Sequence, residues 1–408
     1  MGQMHIMDRT DRCPGKEYDK NVNKDLNKKL KRIGGRILRS PYWISAGILL
    51  LLILIFNLLA MWKGFCDFYT AHITPVILNT YGRFTGLFPF SVGEVLIVLG
   101  LLLVAAALVL GILLIFLRKK AGFRRFCRAF YKTFLMILLS VALIMTLNCS
   151  IPYGCSDMEV KGQARAYTVG ELEILRNYLV EKCNAMAAEF PRDDKGRLIY
   201  DPDLSDLNGE CRRLMQSMED EYPRLAGYYP DMKPVFFSSI MSQSRLMGIF
   251  FPFSMEANYN TKMYITNHAF VFCHEYAHLK GYMQEDEANY LAFRACLRSE
   301  DPYVVYSGYL GVLNYVQNAY YDNMKAADPE RYKAQPSFSE QVKTDDIFLT
   351  KEAWEEVEET SIFNTDTMGK IHDDFTNGYM HYYGIEDGIA SYGRVTDLLL
   401  QYYDGTLY

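Results

Sequence analysis

Three stretches of this chain carry no charged residue for about the length of a membrane crossing: residues 42–62, 95–117 and 133–151. A bilayer core of about 30 Å takes roughly 20 apolar helical residues to cross. A buried helix of a soluble protein of ordinary size keeps a polar face over such a length, and these stretches have none. The sequence therefore predicts three transmembrane helices. The first does not read as a cleaved signal. It begins some 40 residues in and ends in Leu59-Ala60-Met61-Trp62, without the small-residue pattern of a cleavage site.

The cations near these spans set the expected orientation. Lys24, Lys28, Lys29, Lys31, Arg32, Arg36 and Arg39 precede the first span, and Arg118, Lys119, Lys120, Arg124, Arg125, Arg128 and Lys132 lie between the second and third. Between the first two spans stand only Lys63 and Arg83, and the first cations after the third are Lys161 and Arg165. The chain is thus expected in the cytoplasmic membrane, with its N-terminus inside and everything past residue 151 outside. It divides into a basic cytoplasmic segment (1–41), a membrane domain (42–151) and an extracytoplasmic domain (152–408). The basic stretches flank spans and the net charge is −5, so the bilayer rather than nucleic acid is the expected partner. Few ionisable groups fall within the spans, which argues against a transporter.

The outer part reads as mostly helical with a small sheet. Thr168 and Glu171 form a capping-box pattern, and Leu172, Leu175, Leu179 and Val180 follow at helical spacing toward Phe190. A second helix is expected over 206–222, ended by Pro223, and extended chain over 233–264, where Phe, Ile, Met, Tyr and Asn prevail. Further helices are expected over 268–279, 285–298, 303–324, 351–359, 368–383 and 390–403. Of the nine cysteines, Cys149, Cys155, Cys183 and Cys211 allow one disulfide of undetermined pairing. Cys273 and Cys296 read as small buried hydrophobes.

The chemistry concentrates in His274-Glu275-Tyr276-Ala277-His278, an HExxH pattern within an apolar helical stretch. Residues four apart share a helix face, so both imidazoles can reach one Zn²⁺ while Glu275 stands beside its open coordination position as general base. A catalytic zinc needs a third protein ligand. After Gly281, the block Glu285-Asp286-Glu287-Ala288-Asn289 opens a new helix, and either Glu285 or Glu287 can swing back toward the metal. The spacing from Glu285 to Asn289 resembles the third-ligand motif of the gluzincin class of zinc peptidases. That resemblance implies Glu285 as ligand, with Asn289 or Asp286 orienting a histidine. The HExxH lies more than 100 residues beyond the last span, which places its chemistry in water or at the bilayer surface rather than inside the membrane.

Nearly the whole chain is similar to a family of bacterial membrane proteins grouped as domain of unknown function 3810. The similarity is carried by the N-terminal spans, Phe251-Pro252-Phe253-Ser254-Met255-Glu256-Ala257-Asn258, the Glu285–Asn289 block, Tyr306-Ser307-Gly308-Tyr309, and the C-terminal Ser391-Tyr392-Gly393-Arg394-Val395-Thr396-Asp397. The resemblance implies a membrane-anchored zinc metallopeptidase with a zincin-like outer domain, and supplies no substrate. Metal held by His274, His278 and Glu285 is expected to polarise a peptide carbonyl, with Glu275 as base and then as acid toward the leaving amine. Tyr392, Arg394, His372 and His381 are candidates for stabilising the oxyanion. Glu256, Ala257 and Asn258 are read as an extended edge able to pair with a peptide or protein substrate. The alternative is a membrane sensor or binding protein whose outer domain holds a metal with little general proteolysis.

Overall fold

The computed structural model describes residues 40–160, 165–325, 327–361, 364–382 and 394–408. Helix α1 (Pro41–Leu59) is followed by α2 (Lys63–His72), α3 (Val92–Leu117) and α4 (Ala121–Met145); α4 runs on through a π-helical turn, Thr146–Ser150, to Tyr153. Three of these helices are long and apolar enough to cross a membrane: Pro41–Leu59, Val92–Leu117 and Ala121–Tyr153. Each starts earlier than its charge-free run. Pro41 occupies the first helical turn of α1, and the Ser91 hydroxyl caps α3 by accepting from the Glu94 N–H at 3.1 Å. In α4 the basic residues from Arg124 to Lys132 are simply helical, which a search for apolar runs misses. Polar side chains bind the spans together where there is no water to compete. Asn57 donates to Thr146 Oγ1 at 3.1 Å, and the Tyr131 hydroxyl donates to the Ala107 carbonyl at 2.6 Å.

Beyond the spans come α5 (Val169–Glu189) and α6 (Leu204–Gln216). The Thr168–Glu171 capping box is present with both reciprocal bonds. The expected second helix starts at Leu204, because Asp203 caps it, and ends at Gln216 rather than at Tyr222. The sheet has strands β1 (Lys233–Pro234), β2 (Gly248–Phe251) and β3 (Glu256–Tyr259), in the order β1-β3-β2. Strand β3 pairs parallel with β1 and antiparallel with β2. Then follow α7 (His268–Leu279), α8 (Glu285–Cys296), α9 (Pro302–Met324), α10 (Lys351–Thr360), α11 (Thr365–Tyr382) and α12 (Val395–Tyr403).

Helices α7 and α8 are buried almost all round, as sequences apolar on every face must be. They pack on each other; α6, α9 and the β2–β3 pair close over α7, and α9 lies along α5. Cys211, Cys273 and Cys296 meet in this core as buried thiols. Among the described residues no disulfide joins Cys149, Cys155, Cys183 and Cys211. The same core takes in Leu78, from the segment between the first two spans, and Cys149 and Tyr153, from the C-terminal end of the third.

The sheet is bound directly to the membrane helices. The turn between β2 and β3 offers its carbonyls to three side chains from that side: Tyr81 Oη to Phe253 O at 2.8 Å, Thr85 Oγ1 to Ser254 O at 2.9 Å and Asn148 Nδ2 to Pro252 O at 2.8 Å. Glu256 is fully buried, accepts the Gly93 N–H at 2.7 Å in the first turn of α3, and pairs with Lys233. A carboxylate at a helix N-terminus is favoured by the peptide dipoles there. The expected substrate-pairing edge is thereby corrected. Glu256, Ala257 and Asn258 lie in the central strand and are buried, with Glu256 committed to the junction with α3; the outer strands of the sheet are β1 and β2.

Candidate functional site

The HExxH helix ends in a Schellman motif. The Gly281 N–H donates to His278 O at 2.9 Å and the Tyr282 N–H to Ala277 O at 3.1 Å. This demands a left-handed residue, and Gly281 has φ of 84°. The reversal turns the Tyr282 carbonyl back onto His278 Nδ1 at 2.9 Å, which leaves His278 Nε2 to face α8. The short connection then starts α8 with its first carboxylate over the imidazoles.

Glu285 is the one that arrives. Its Oε2 lies 3.2 Å from His274 Nε2 and its Oε1 lies 3.6 Å from His278 Nε2. The two imidazole rings are 4.6 Å apart and nearly perpendicular. One ligand atom from each of His274, His278 and Glu285 falls within 4.8 Å of the other two. Glu287 points away, accepts the Met158 N–H at 2.5 Å, and is raised to about 7 by burial, against that bond and the charge of Arg224. Of the two glutamates, Glu285 and not Glu287 lies beside the histidines.

Two imidazole nitrogens and a carboxylate oxygen are a donor set that suits a divalent metal such as zinc. Without metal the three groups satisfy one another. Burial alone would depress His278, but the Glu285 carboxylate outweighs it and raises the imidazole to about 9, while the same histidines hold Glu285 well below the usual carboxylate range.

Glu275 sits beside this cluster. It is buried, its Oε2 has no hydrogen-bond partner, and desolvation raises it to about 7 against the pull of His274 and His278. The space it occupies depends on Gly248 at the start of β2. A Cβ there would lie 2.4 Å from Glu275 Oε1. Gly248 thus brings the β2 edge against the carboxylate, a role the sequence does not signal.

The surrounding residues divide. Asp286 is raised by burial and lies 3.7 Å from Arg394, so Arg394 stands next to the Glu285 end of α8. Asn289 is buried in α8; its Nδ2 and His274 Nδ1 are each without a hydrogen-bond partner. The orienting contact expected from Asn289 is supplied to His278 by the Tyr282 carbonyl instead. On α9 the Tyr315 hydroxyl lies near Asn289 and within the field of Glu285; burial, Glu285 and Asn289 together leave it at about 12. One tyrosine among 31 gives no sequence signal of such a position. His372 lies half-buried on α11, which packs on the short helix Ser238–Gln243, and it contacts Thr376 at 3.3 Å. Tyr392 and the side chain of His381 lie outside the described residues.

The fold and the cluster define a class: a protein with three helices able to cross a membrane and a helical C-terminal domain holding a cluster of two histidines and a glutamate beside the sheet. The chain belongs to the family described as protein of unknown function (DUF3810), whose model matches residues 69–400 and so takes in the site and its junction with the spans. No curated protein and no solved structure matches it.

Proposed function

We infer that this protein is a membrane-anchored zinc-dependent peptidase with its catalytic domain on the extracytoplasmic side. The observation that carries the reading is the convergence of His274, His278 and Glu285 beside a buried, partnerless Glu275 oxygen. A metal serving structure alone needs no base between its ligands and favours a closed set of cysteine and histidine. Zinc, when bound, supplies a Lewis acid for the scissile carbonyl and acidifies a water.

The protein's own groups carry the proton. Glu275, pushed to about 7 by desolvation, takes a proton from the attacking water near neutral pH. The hydroxyl adds to the acyl carbon, the C–N bond breaks, and Glu275 returns the proton to the leaving amine. Gly248 opens the β2 edge beside that carboxylate, where a substrate strand can pair through its backbone. Arg394 and Tyr315 flank the metal-binding end of α8 as donors for developing negative charge. The excess of cations in 24–39 and 118–132 supports placing the outer domain outside.

The test is hydrolysis of a randomised fluorogenic peptide library by the full-length, zinc-loaded protein in detergent. Glu275→Gln is expected to lower turnover by at least about 10²-fold, the usual weight of a general base, while keeping its metal. Equal hydrolysis by wild type and Glu275→Gln contradicts the reading.

A further inference from the structure

We propose that the substrate is a polypeptide anchored in the same bilayer and cut within a few residues of the membrane surface. This deepens the peptidase reading and rests on it.

Strand β2 connects the site to the membrane. Its first residue, Gly248, touches Glu275; its last, Phe251, packs its ring on Gly93 in the first turn of α3, where a Cβ would come within 2.2 Å. That turn marks the bilayer boundary, because Glu94 is its only charged residue and 95–117 are apolar without interruption. From Gly248 to Phe251 is three residues, or about 10 Å of strand. With a side-chain contact at each end, the catalytic carboxylate stands no more than about 20 Å from the membrane end of α3, a distance that six extended residues cover.

The outer domain has no stalk to lift it. Glu256 holds the first turn of α3 from the central strand, and the Glu94 carboxylate accepts the backbone N–H groups of Phe236 at 2.9 Å and Phe237 at 2.7 Å. Those two rings are thereby fixed at the level of the bilayer boundary. They are 85% and 44% exposed, which in water would be costly and in the headgroup region is favourable. A substrate strand laid along β2, an outer strand of the sheet, therefore has one end at Glu275 and the other at the membrane surface. A peptide emerging from a neighbouring span, or held by a lipid anchor, enters that edge directly.

The experiment uses the full-length, zinc-loaded protein in lipid vesicles. The probe is a model transmembrane helix bearing an outer segment of about 40 residues of randomised sequence, long enough to pass well beyond the six-residue reach, so that every position offers the same mixture of bonds. Cut positions are mapped by mass spectrometry, and the same segment without its helix is supplied free at equal bulk concentration. Cuts are expected to cluster in the first six or so residues outside the helix, with the free segment cut at least ten times more slowly and Glu275→Gln silent. Cuts spread evenly along the segment, or equal rates on the free segment, overturn the proposal while leaving the peptidase reading intact. No cleavage in any arm by protein that holds zinc overturns both.

Discussion

At the scale of single residues, the site depends on an absent side chain as much as on those present. Gly248→Ala places a methyl 2.4 Å from Glu275 Oε1 and forces the carboxylate to move. The expected result is zinc content like that of wild type with turnover lowered by about 10²-fold, since a displacement near 1 Å costs that much in a positioned base. Unchanged turnover in Gly248→Ala contradicts the placement of Glu275. Protons compete with metal at the same site. The metal-free imidazole of His278 is held protonated up to about 9 by Glu285, so zinc must displace a proton over the neutral range. Raising the pH removes the competitor, and zinc affinity is expected to rise from about pH 6 toward about pH 9. Calorimetric titration in buffers of different ionisation enthalpy should show proton release at neutral pH; a heat independent of buffer contradicts it. The clustering of His274, His278 and Glu285 was legible because the i, i+4 spacing puts the two histidines on one helix face and a nearby run of acids bounds the carboxylate. Gly248, the Tyr282 carbonyl and Tyr315 were not, since a glycine, a backbone oxygen and one tyrosine of 31 acquire their roles only through tertiary contact.

At the scale of elements, the segment Phe251–Asn258 shows how local pattern misleads. Its apolar and extended character was legible, but not its place in the sheet, because strand order is decided by what each strand packs against. Here Glu256 must face the first turn of α3, which forces β3 to the centre and leaves β2 at the edge. The pair it forms with Lys233 is almost wholly buried. Removing one partner leaves the other charge unpaired, at a typical cost of about 3–5 kcal/mol. Glu256→Ala should therefore lower the thermal midpoint in detergent markedly, and Glu256→Gln less, because an amide oxygen can still accept from Gly93. A melt of Glu256→Ala like that of wild type would show that the junction does not bear on stability. The capping box made the Thr168 boundary legible, whereas the lone caps Ser91 and Asp203 were missed and α4 starts early because it runs back through charged residues.

At the scale of the whole molecule, the membrane and outer parts do not separate as cleanly as charge and hydropathy imply. The apolar runs locate the spans, but the outer core includes Leu78, Cys149 and Tyr153, and the β2–β3 turn is held by Tyr81, Thr85 and Asn148. Interactions between residues so distant in sequence leave no periodic trace. The placement of Phe236 at the bilayer boundary predicts the behaviour of a probe. An environment-sensitive fluorophore on Phe236→Cys, in nanodiscs, should be quenched by lipids carrying a nitroxide near the headgroup, whereas one on Lys195→Cys should not. Equal quenching at the two positions contradicts the arrangement. Phe236 is 85% exposed, so its replacement leaves the core intact, and the labelled parent protein supplies the blank for the native cysteines. The shared core also dictates that tests of the metal site use the full chain rather than a fragment cut after the third span.

The most direct test is elemental analysis of the purified full-length protein after supply of zinc and removal of excess. Near one zinc per chain is predicted for wild type, Glu275→Gln and Glu287→Gln, and little or none for His274→Ala and Glu285→Ala. Folded wild-type protein that retains no zinc, or zinc retained equally by His274→Ala and Glu285→Ala, would contradict the account.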